Sequence, residues 1–220
     1  MPDRPRRNLF LIALGGLAVL LAGCSSAPEP LGVDVRPEVR FREAMRLTAE
    51  GEKARADGNT RRAINYFRAA VATYPDIAIA QNNLGLLLLN TTEAHLGAKH
   101  LLTAAEIEPT DPRPLTNLAY AYWERNWTSD ALRYYDMALE RDPNDLGALR
   151  GSVRAAEAEN RAERSDLDNI QRASFIERDP IWVEYFERQK FRVENQIRLR
   201  ERADPTLRRT VDRSRNETGG

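Results

Sequence analysis

Cysteine and histidine are almost absent from this sequence of 220 residues, which has one cysteine, Cys24, and two histidines, His95 and His100. A single cysteine excludes an intrachain disulfide, so packing alone must stabilise the fold. The two histidines lie close together in the chain but lack a surrounding set of cysteines and carboxylates, which argues against a metal site. We therefore expect no metal and no bound cofactor.

Net charge is absent as well, because 33 Lys and Arg residues balance 33 Asp and Glu residues. Such a balance leaves no overall positive field for nucleic acid. The sequence also has no phosphate-binding glycine loop and no nucleophile-elbow serine motif, and Gly15 and Gly16 belong to an apolar run. We predict that the protein is not an enzyme and does not bind nucleic acid.

An internal repeat dominates the rest of the chain. Pro75, Pro109 and Pro143 follow one another at equal intervals. When the units are aligned on these prolines, positions 8, 20 and 27 hold small residues and position 24 holds a large one. The small residues are Gly51, Gly85, Ala119, Ala63, Gly97, Ala131, Ala70, Ala104 and Ala138, and the large ones are Phe67, Leu101 and Tyr135. Because small side chains let helices approach and proline ends a helix, each unit is expected to be a helix pair that stacks on its neighbours.

This pattern resembles the tetratricopeptide repeat, and unit three comes nearest to its signature with Leu115, Leu118, Ala119, Tyr122, Ala131, Tyr135 and Pro143. The resemblance implies an all-α, right-handed α-solenoid of three helix pairs, a divergent fourth pair and a C-terminal capping helix. The solenoid is predicted over residues 41–179, with units 44–77, 78–111 and 112–145 and a degenerate unit 146–179. The turn of unit two has Thr92 where the other units have Gly58 and Asn126, which tolerate left-handed backbone, so this turn is expected to differ.

After the repeats, Asp179 and Pro180 predict the start of a helix over residues 180–203. Its apolar stripe of Trp182, Phe186, Val193 and Ile197 fits a cap on the solenoid core, and the alternative is an aromatic docking helix for a partner. Residues 204–220 are predicted to be a disordered basic tail. Residues 188–215 hold ten basic and four acidic residues. They form either a solvated face or a contact with anionic lipid headgroups or an acidic partner.

The segment of residues 1–23 resembles a bacterial lipoprotein signal peptide. Arginines precede an apolar run, and small residues lead to Cys24. The apolar run of residues 9–22 would span about 21 Å as a helix, short of the roughly 30 Å of bilayer hydrocarbon, so a lasting transmembrane helix is the weaker interpretation. The resemblance implies cleavage between Gly23 and Cys24 and a diacylglycerol anchor on Cys24, which becomes triply acylated with chains such as palmitate.

The residues after the predicted lipid anchor, 24–40, form a proline-rich tether to the solenoid in this interpretation. The chain would then be lipid-anchored in the bacterial cell envelope and face the periplasm. Ser25 follows the anchor where enterobacterial lipoproteins kept in the inner membrane have Asp, which favours the outer membrane.

The resemblance also implies a binding surface, since the first helix of each tetratricopeptide pair lines a concave groove through positions 2, 5, 6, 9 and 12. The predicted partner-binding residues are Asn82, Asn83, Leu86, Arg113, Asn117, Tyr120, Trp123, Arg150 and Arg154. Asn83 and Asn117 occupy the same position of successive units, where an amide can bind an extended peptide backbone. Tyr120 and Trp123 are candidate aromatic anchors. The alternative is that the asparagines bond to the neighbouring helix and the aromatic residues cover the core.

Together these features predict a membrane-anchored adaptor that binds protein or peptide segments of an envelope assembly. In architecture the chain resembles the tetratricopeptide lipoproteins that assist pilus biogenesis or secretion and those that organise the peptidoglycan machinery. The alternative is a structural envelope lipoprotein that self-associates, and a weak homo-oligomer is compatible with either function.

Overall fold

The computed structural model describes residues 36–203, a part of the chain that contains nine α-helices and no β-strand. The helices are α1 (Pro37–Ala56), α2 (Thr60–Thr73), α3 (Ala78–Leu88), α4 (Ala94–Ile107), α5 (Arg113–Trp123), α6 (Thr128–Arg141), α7 (Leu146–Ala158), α8 (Arg164–Ile176) and α9 (Pro180–Ala203). The prediction of an all-α fold is confirmed. The predicted signal peptide, Cys24, most of the predicted tether and the predicted tail lie outside the described residues.

Each helix packs against the next in the chain, and α3, α5 and α7 also contact one another in sequence. Helices α1, α3, α5 and α7 are the first helices of four pairs, and α2, α4, α6 and α8 are the second helices. Helix α9 begins at Pro180 and α7 at Leu146, the same interval that separates the repeat prolines. Helix α9 therefore stands where the first helix of a fifth pair would stand.

Small residues let the two helices of a pair approach, as the repeat pattern predicts. A Cβ atom on Gly51 of α1 would lie 2.7 Å from the fully buried ring of Phe67 in α2. In the second pair, a Cβ on Gly85 or on Gly97 would lie 2.8 Å from the carbonyl oxygen of the other glycine. The backbones of α3 and α4 are therefore in direct contact, and Leu101 fills the space beside them.

The apolar core runs along the array between first and second helices. One cluster of buried residues extends from Leu89 to Val193, and two smaller clusters lie under α1, α2 and α3. The small residues at positions 20 and 27 and the large residues at position 24 are buried in the units where they were predicted.

The turns inside the pairs differ as the sequence predicts. Gly58 and Asn126 have φ of 75° and 57°, and Asn160 in the fourth pair has φ of 50°. The turn from α3 to α4 has no residue of positive φ, and Thr91 closes it by donating to the Leu88 carbonyl and accepting from the Glu93 N–H. The distinct shape predicted for the second turn is confirmed.

Local sequence signals explain where the first and the last helix of the described array begin. Helix α1 begins at Pro37, so residues 37–40 of the predicted tether are helical; proline suits the first turn, and Glu38 follows it. At the other end the Asp179 carboxylate accepts the N–H of Ile181 at 3.0 Å and caps α9, and Phe186 and Val193 are fully buried. Within residues 36–203 no helix is both long enough and apolar enough to span a bilayer.

Candidate partner-binding groove

The first helices and α9 present one side of the array, here called the groove, through repeat positions 2, 5, 6, 9 and 12. Side chains of successive first helices contact one another across it. The Asn117 amide donates to Asn82 at 3.0 Å, and the Asn83 amide donates to Glu52 at 3.4 Å. These bonds place α1, α3 and α5 side by side, with the predicted residues on a shared surface.

The polar centre of the groove is a row of half-buried side chains: Glu52, Asn83, Asn82 and Asn117. Within the row the Asn82 amide also contacts the Asn83 oxygen at 3.4 Å. The asparagines thus form hydrogen bonds to neighbouring helices, as the alternative interpretation of the sequence states. Their role in binding a partner stays a prediction. Two of the three bonds are 3.4 Å long, at the weak end of hydrogen-bond geometry, so a ligand could exchange them at low cost.

Apolar and aromatic side chains border this row. Leu86 is half-buried, and Tyr120 is 51% exposed. The pKa of Tyr120 lies above its usual value, because the neighbouring Glu124 carboxylate accepts from its hydroxyl and burial adds a smaller effect. Tyr120 is therefore neutral and presents most of its ring to the groove.

Two of the predicted groove arginines are already engaged by carboxylates of the same chain. Arg113 is exposed at the start of α5 and forms an ion pair with Asp111 at 2.8 Å. Arg150 makes two hydrogen bonds of 2.7 Å to Glu177 and lies 4.8 Å from the ring centre of Trp182. Hydrogen bonds from Arg150 and from the backbone N–H groups of Asp179 and Arg178 lower the pKa of Glu177 to about 2. The charge of Arg150 is therefore neutralised inside the fold.

Arg154 differs from these two arginines. Its guanidinium lies 4.9 Å from the ring centre of Trp123, and among the described residues it has no ion pair and no hydrogen bond. The structure thus brings Arg154, Trp123 and Tyr120 together at one end of the groove.

Helix α9 extends the groove beyond the predicted residues. It contributes Ile181, Trp182, Tyr185 and Arg188 to a pocket of about 550 Å³, whose other wall is formed by Trp123, Arg154, Glu157 and Ala158. The sequence analysis placed Trp182 on a helix that either caps the core or docks a partner, and it did not assign the other three residues to the groove. The sequence does contain a signal for this extension of the groove, because Pro180 follows Leu146 by the same interval that separates the earlier units.

The histidines form no metal site in the described part of the chain, where no cluster of three potential ligands occurs. His95 is exposed, and His100 shares a 2.7 Å hydrogen bond with the buried Gln81 side chain. Burial, with smaller effects of Lys99 and Arg68, lowers the pKa of His100. The His100 ring therefore joins α4 to α3 as a neutral group.

This arrangement defines a fold class, an α-solenoid of tetratricopeptide type in which helix pairs stack in chain order. The family model described as "Tetratricopeptide repeat" matches residues 48–112. A tetratricopeptide repeat-containing protein of Pseudomonas aeruginosa is 35% identical over 78 residues, which cover 35% of this chain and 13% of that protein. The alignment thus reaches only a small part of the relative's length.

Solved structures give the same fold. The first tetratricopeptide domain of Spaghetti bound to an HSP90 peptide superposes with a TM-score of 0.52 at 16% identity, over 59% of this chain and 99% of that one. The Arabidopsis OM64 tetratricopeptide domain gives 0.51 at 14% identity, over 54% and 98%. An O-GlcNAc transferase mutant of Thermobaculum terrenum gives 0.56 at 19% identity, over 64% and 27%. At these identities the likeness concerns the fold.

Proposed function

We propose that this chain is a membrane-anchored adaptor that binds an extended segment of a partner protein in the groove. One observation carries the proposal: the groove presents half-buried amides of α3 and α5 next to the exposed ring of Tyr120 and the half-buried ring of Trp123. Amides can pair with a peptide backbone, and aromatic side chains supply most of the interface energy. A convex surface of isolated polar side chains would not offer amides for a peptide backbone together with aromatic anchors.

The membrane anchor in this proposal is lipid on Cys24, supported by the lipoprotein-like signal that precedes it. More than one acyl chain is needed for stable anchoring, which the predicted lipidation would supply. The adaptor would face the periplasm, with the outer membrane favoured by Ser25. Replacing Cys24 with Ala should abolish incorporation of labelled palmitate and move the protein out of the membrane fraction. Continued labelling of the variant would refute the anchor.

The proposed partners belong to an envelope assembly, either pilus biogenesis and secretion or the peptidoglycan machinery. The test is crosslinking in intact cells followed by purification and mass spectrometry. Native protein is compared with a groove variant carrying Asn83→Ala, Asn117→Ala and Trp123→Ala. We expect partners captured by the native protein to be lost from the groove variant.

A control variant must carry the same number of substitutions away from the groove. Asn65→Ala, Lys99→Ala and Glu140→Ala change exposed residues of second helices. This variant should capture the same partners as the native protein. Equal capture by all three proteins would place the binding surface outside the groove and refute the proposal.

Self-association is the second candidate, and Leu199 favours it. This side chain lies outside the groove positions and is 62% exposed on α9, the helix that has no following helix in the described array. Sedimentation of the chain at increasing concentration, with Leu199→Ser as the comparison, separates the two functions. A monomer at all concentrations would exclude self-association, whereas an oligomer lost in Leu199→Ser would support it.

A further inference from the structure

Tyr135 is a core residue that also reaches the groove. It belongs to second helix α6 and stands at the position that holds Phe67 and Leu101 in the preceding units, with 2% of its surface exposed. Its ring lies against Gly151 of α7, and an added Cβ there would strike ring atoms and the hydroxyl oxygen. Gly151 occupies groove position 6, where the preceding units have Asn83 and Asn117. The missing side chain of Gly151 therefore leaves room for the tyrosine hydroxyl under the groove floor.

The Tyr135 hydroxyl has no hydrogen-bond partner among the described residues. In that part of the chain only Gln196 Oε1 is both closed to solvent and without a partner, so the Tyr135 hydroxyl is open to solvent. The hydroxyl of this otherwise buried residue therefore reaches the surface, where a group from outside the fold can bind it. The groups that act on it electrostatically are Arg154, Tyr120 and Glu124, all on the groove side.

Arg154 is the second unused donor at this place. Its guanidinium lies over the ring of Trp123, while Arg150 and Arg161 nearby form ion pairs with Glu177 and Asp166. A cation–π contact uses the charge of the guanidinium and leaves its N–H groups free to donate. The neutral Tyr135 hydroxyl and the cationic Arg154 guanidinium are therefore two neighbouring donors on the groove side without acceptors in the described part of the chain.

An apolar pocket adjoins these donors. Trp123, Trp182, Tyr185 and Ile181 line it, and its volume of about 550 Å³ accommodates at least one large side chain. The ligand chemistry that matches the site is thus an acceptor group beside an apolar or aromatic side chain.

The charges around the site select the kind of acceptor. Arg154 and Arg188 face the groove together with Glu157 and Glu184, and Glu124 lies beside Tyr120. The Glu157 carboxylate already accepts from Tyr185 and Gln189. Such a mixed surface suits a singly charged group and disfavours a phosphate, which carries almost two charges.

We propose that the Tyr135 hydroxyl and the Arg154 guanidinium together bind an Asp or Glu side chain of the partner, whose neighbouring apolar side chain enters the pocket between Trp123 and α9. This inference rests on the proposed function, because it assumes that the groove holds a protein segment. It adds the sequence character of that segment and a binding residue that comes from a second helix.

The test is selection from a library of random decapeptides with amidated C termini, so that only side chains supply carboxylates. The full chain in mild detergent is the bait. We expect the selected peptides to share an acidic residue next to an aromatic or aliphatic one. A selected peptide is then remade with Glu→Gln or Asp→Asn, and Kd is measured for both forms.

The protein variants complete a double-mutant cycle. Tyr135→Phe should weaken binding of the acidic peptide about tenfold or more, and should have little effect on the amide peptide. Tyr134→Phe is the matched control, since Tyr134 is the adjacent residue of α6 and its ring stacks on Tyr122 at 5.3 Å. Arg154→Gln repeats the cycle with a half-buried groove residue, in case Tyr135→Phe alters folding.

Three outcomes would overturn the inference. Selected peptides without a shared acidic residue would refute it, and so would equal losses of affinity for the acidic and the amide peptide in Tyr135→Phe. In either case, loss of peptide binding in Trp123→Ala would still support the groove as the binding surface. Failure of the native chain to select any peptide would overturn both the inference and the proposed function.

Discussion

Replacing Gly97 with Ala should destabilise the array although alanine is the better helix former. The added Cβ would lie 2.8 Å from the Gly85 carbonyl oxygen and 2.9 Å from the Leu89 amide nitrogen. Both are backbone atoms, so these short contacts can be relieved only if α3 and α4 move apart. Overpacking of this kind costs about 1–3 kcal/mol, and alanine returns at most about 1 kcal/mol of helix propensity. We expect a net loss on the order of 1 kcal/mol and a fall in Tm of about 2–4 °C.

The matched control is Gly147→Ala, which also changes a helical glycine. Gly147 is exposed at the start of α7, and its added Cβ would lie 3.3 Å from the Asp145 carboxylate and the Thr116 methyl group. These side chains can shift, so this variant should be unchanged or slightly more stable. Thermal unfolding followed by circular dichroism, with urea midpoints alongside, compares the two. An equal or higher Tm for Gly97→Ala would show that the helices separate at no cost and would refute the reasoning.

Three further variants test other parts of the structure. Tyr135→Phe should leave Tm unchanged or raise it, because it removes a hydroxyl without a partner in the described chain; a loss above about 1 kcal/mol in urea unfolding would reveal a missed bond. Glu177→Gln should destabilise the protein at pH 7. The pKa of Glu177 is lowered on folding from 4.5 to about 2, so its contribution is complete above pH 4.5 and is lost as the pH falls towards 2. The difference in unfolding free energy between native protein and Glu177→Gln should therefore shrink from pH 5 to pH 3, and a constant difference would contradict this assignment. Gly58→Ala should cost about 1 kcal/mol in the same assay, because φ is 75° at a site with open space around it; a neutral result would mean that the turn adopts another conformation.

The repeat pattern predicted the fold because its signals are local or periodic. The positions of small and large residues can be predicted from the period between the repeat prolines alone. The exceptional turn at Thr92 can be predicted from the backbone preferences of the residues in it. The start of α9 at Pro180 follows from a local signal, the helix cap at Asp179 and the proline after it. These features do not depend on how distant side chains meet.

The electrostatics of the groove could not be predicted in the same way. Arg150 was placed in the groove by its repeat position, but its charge is neutralised by Glu177, which lies farther along the chain in a loop outside the repeat signature. The Tyr135 hydroxyl reaches the groove side because Gly151, a residue of the next unit, has no side chain beside it. Such pairings depend on rotamers and on helix crossing, which a one-dimensional pattern does not contain.

The signal peptide, the lipid on Cys24 and the envelope location stay predictions from the sequence. They concern residues outside the described structure, and labelling and fractionation will decide them. The groove and the anchor are therefore separable hypotheses, since either could fail without the other.

The position of α9 has a consequence for lengthening the protein. Because this helix stands in phase with the earlier first helices, one further consensus repeat inserted between Asp179 and Pro180 should fold as an added pair and carry α9 forward by one step. The insertion would part Arg150 from Trp182 and Glu157 from Tyr185, contacts that now join the last pair to α9. A longer array would thus keep its architecture while losing the pocket beside Trp123, so in this chain the number of repeats itself determines whether that pocket forms.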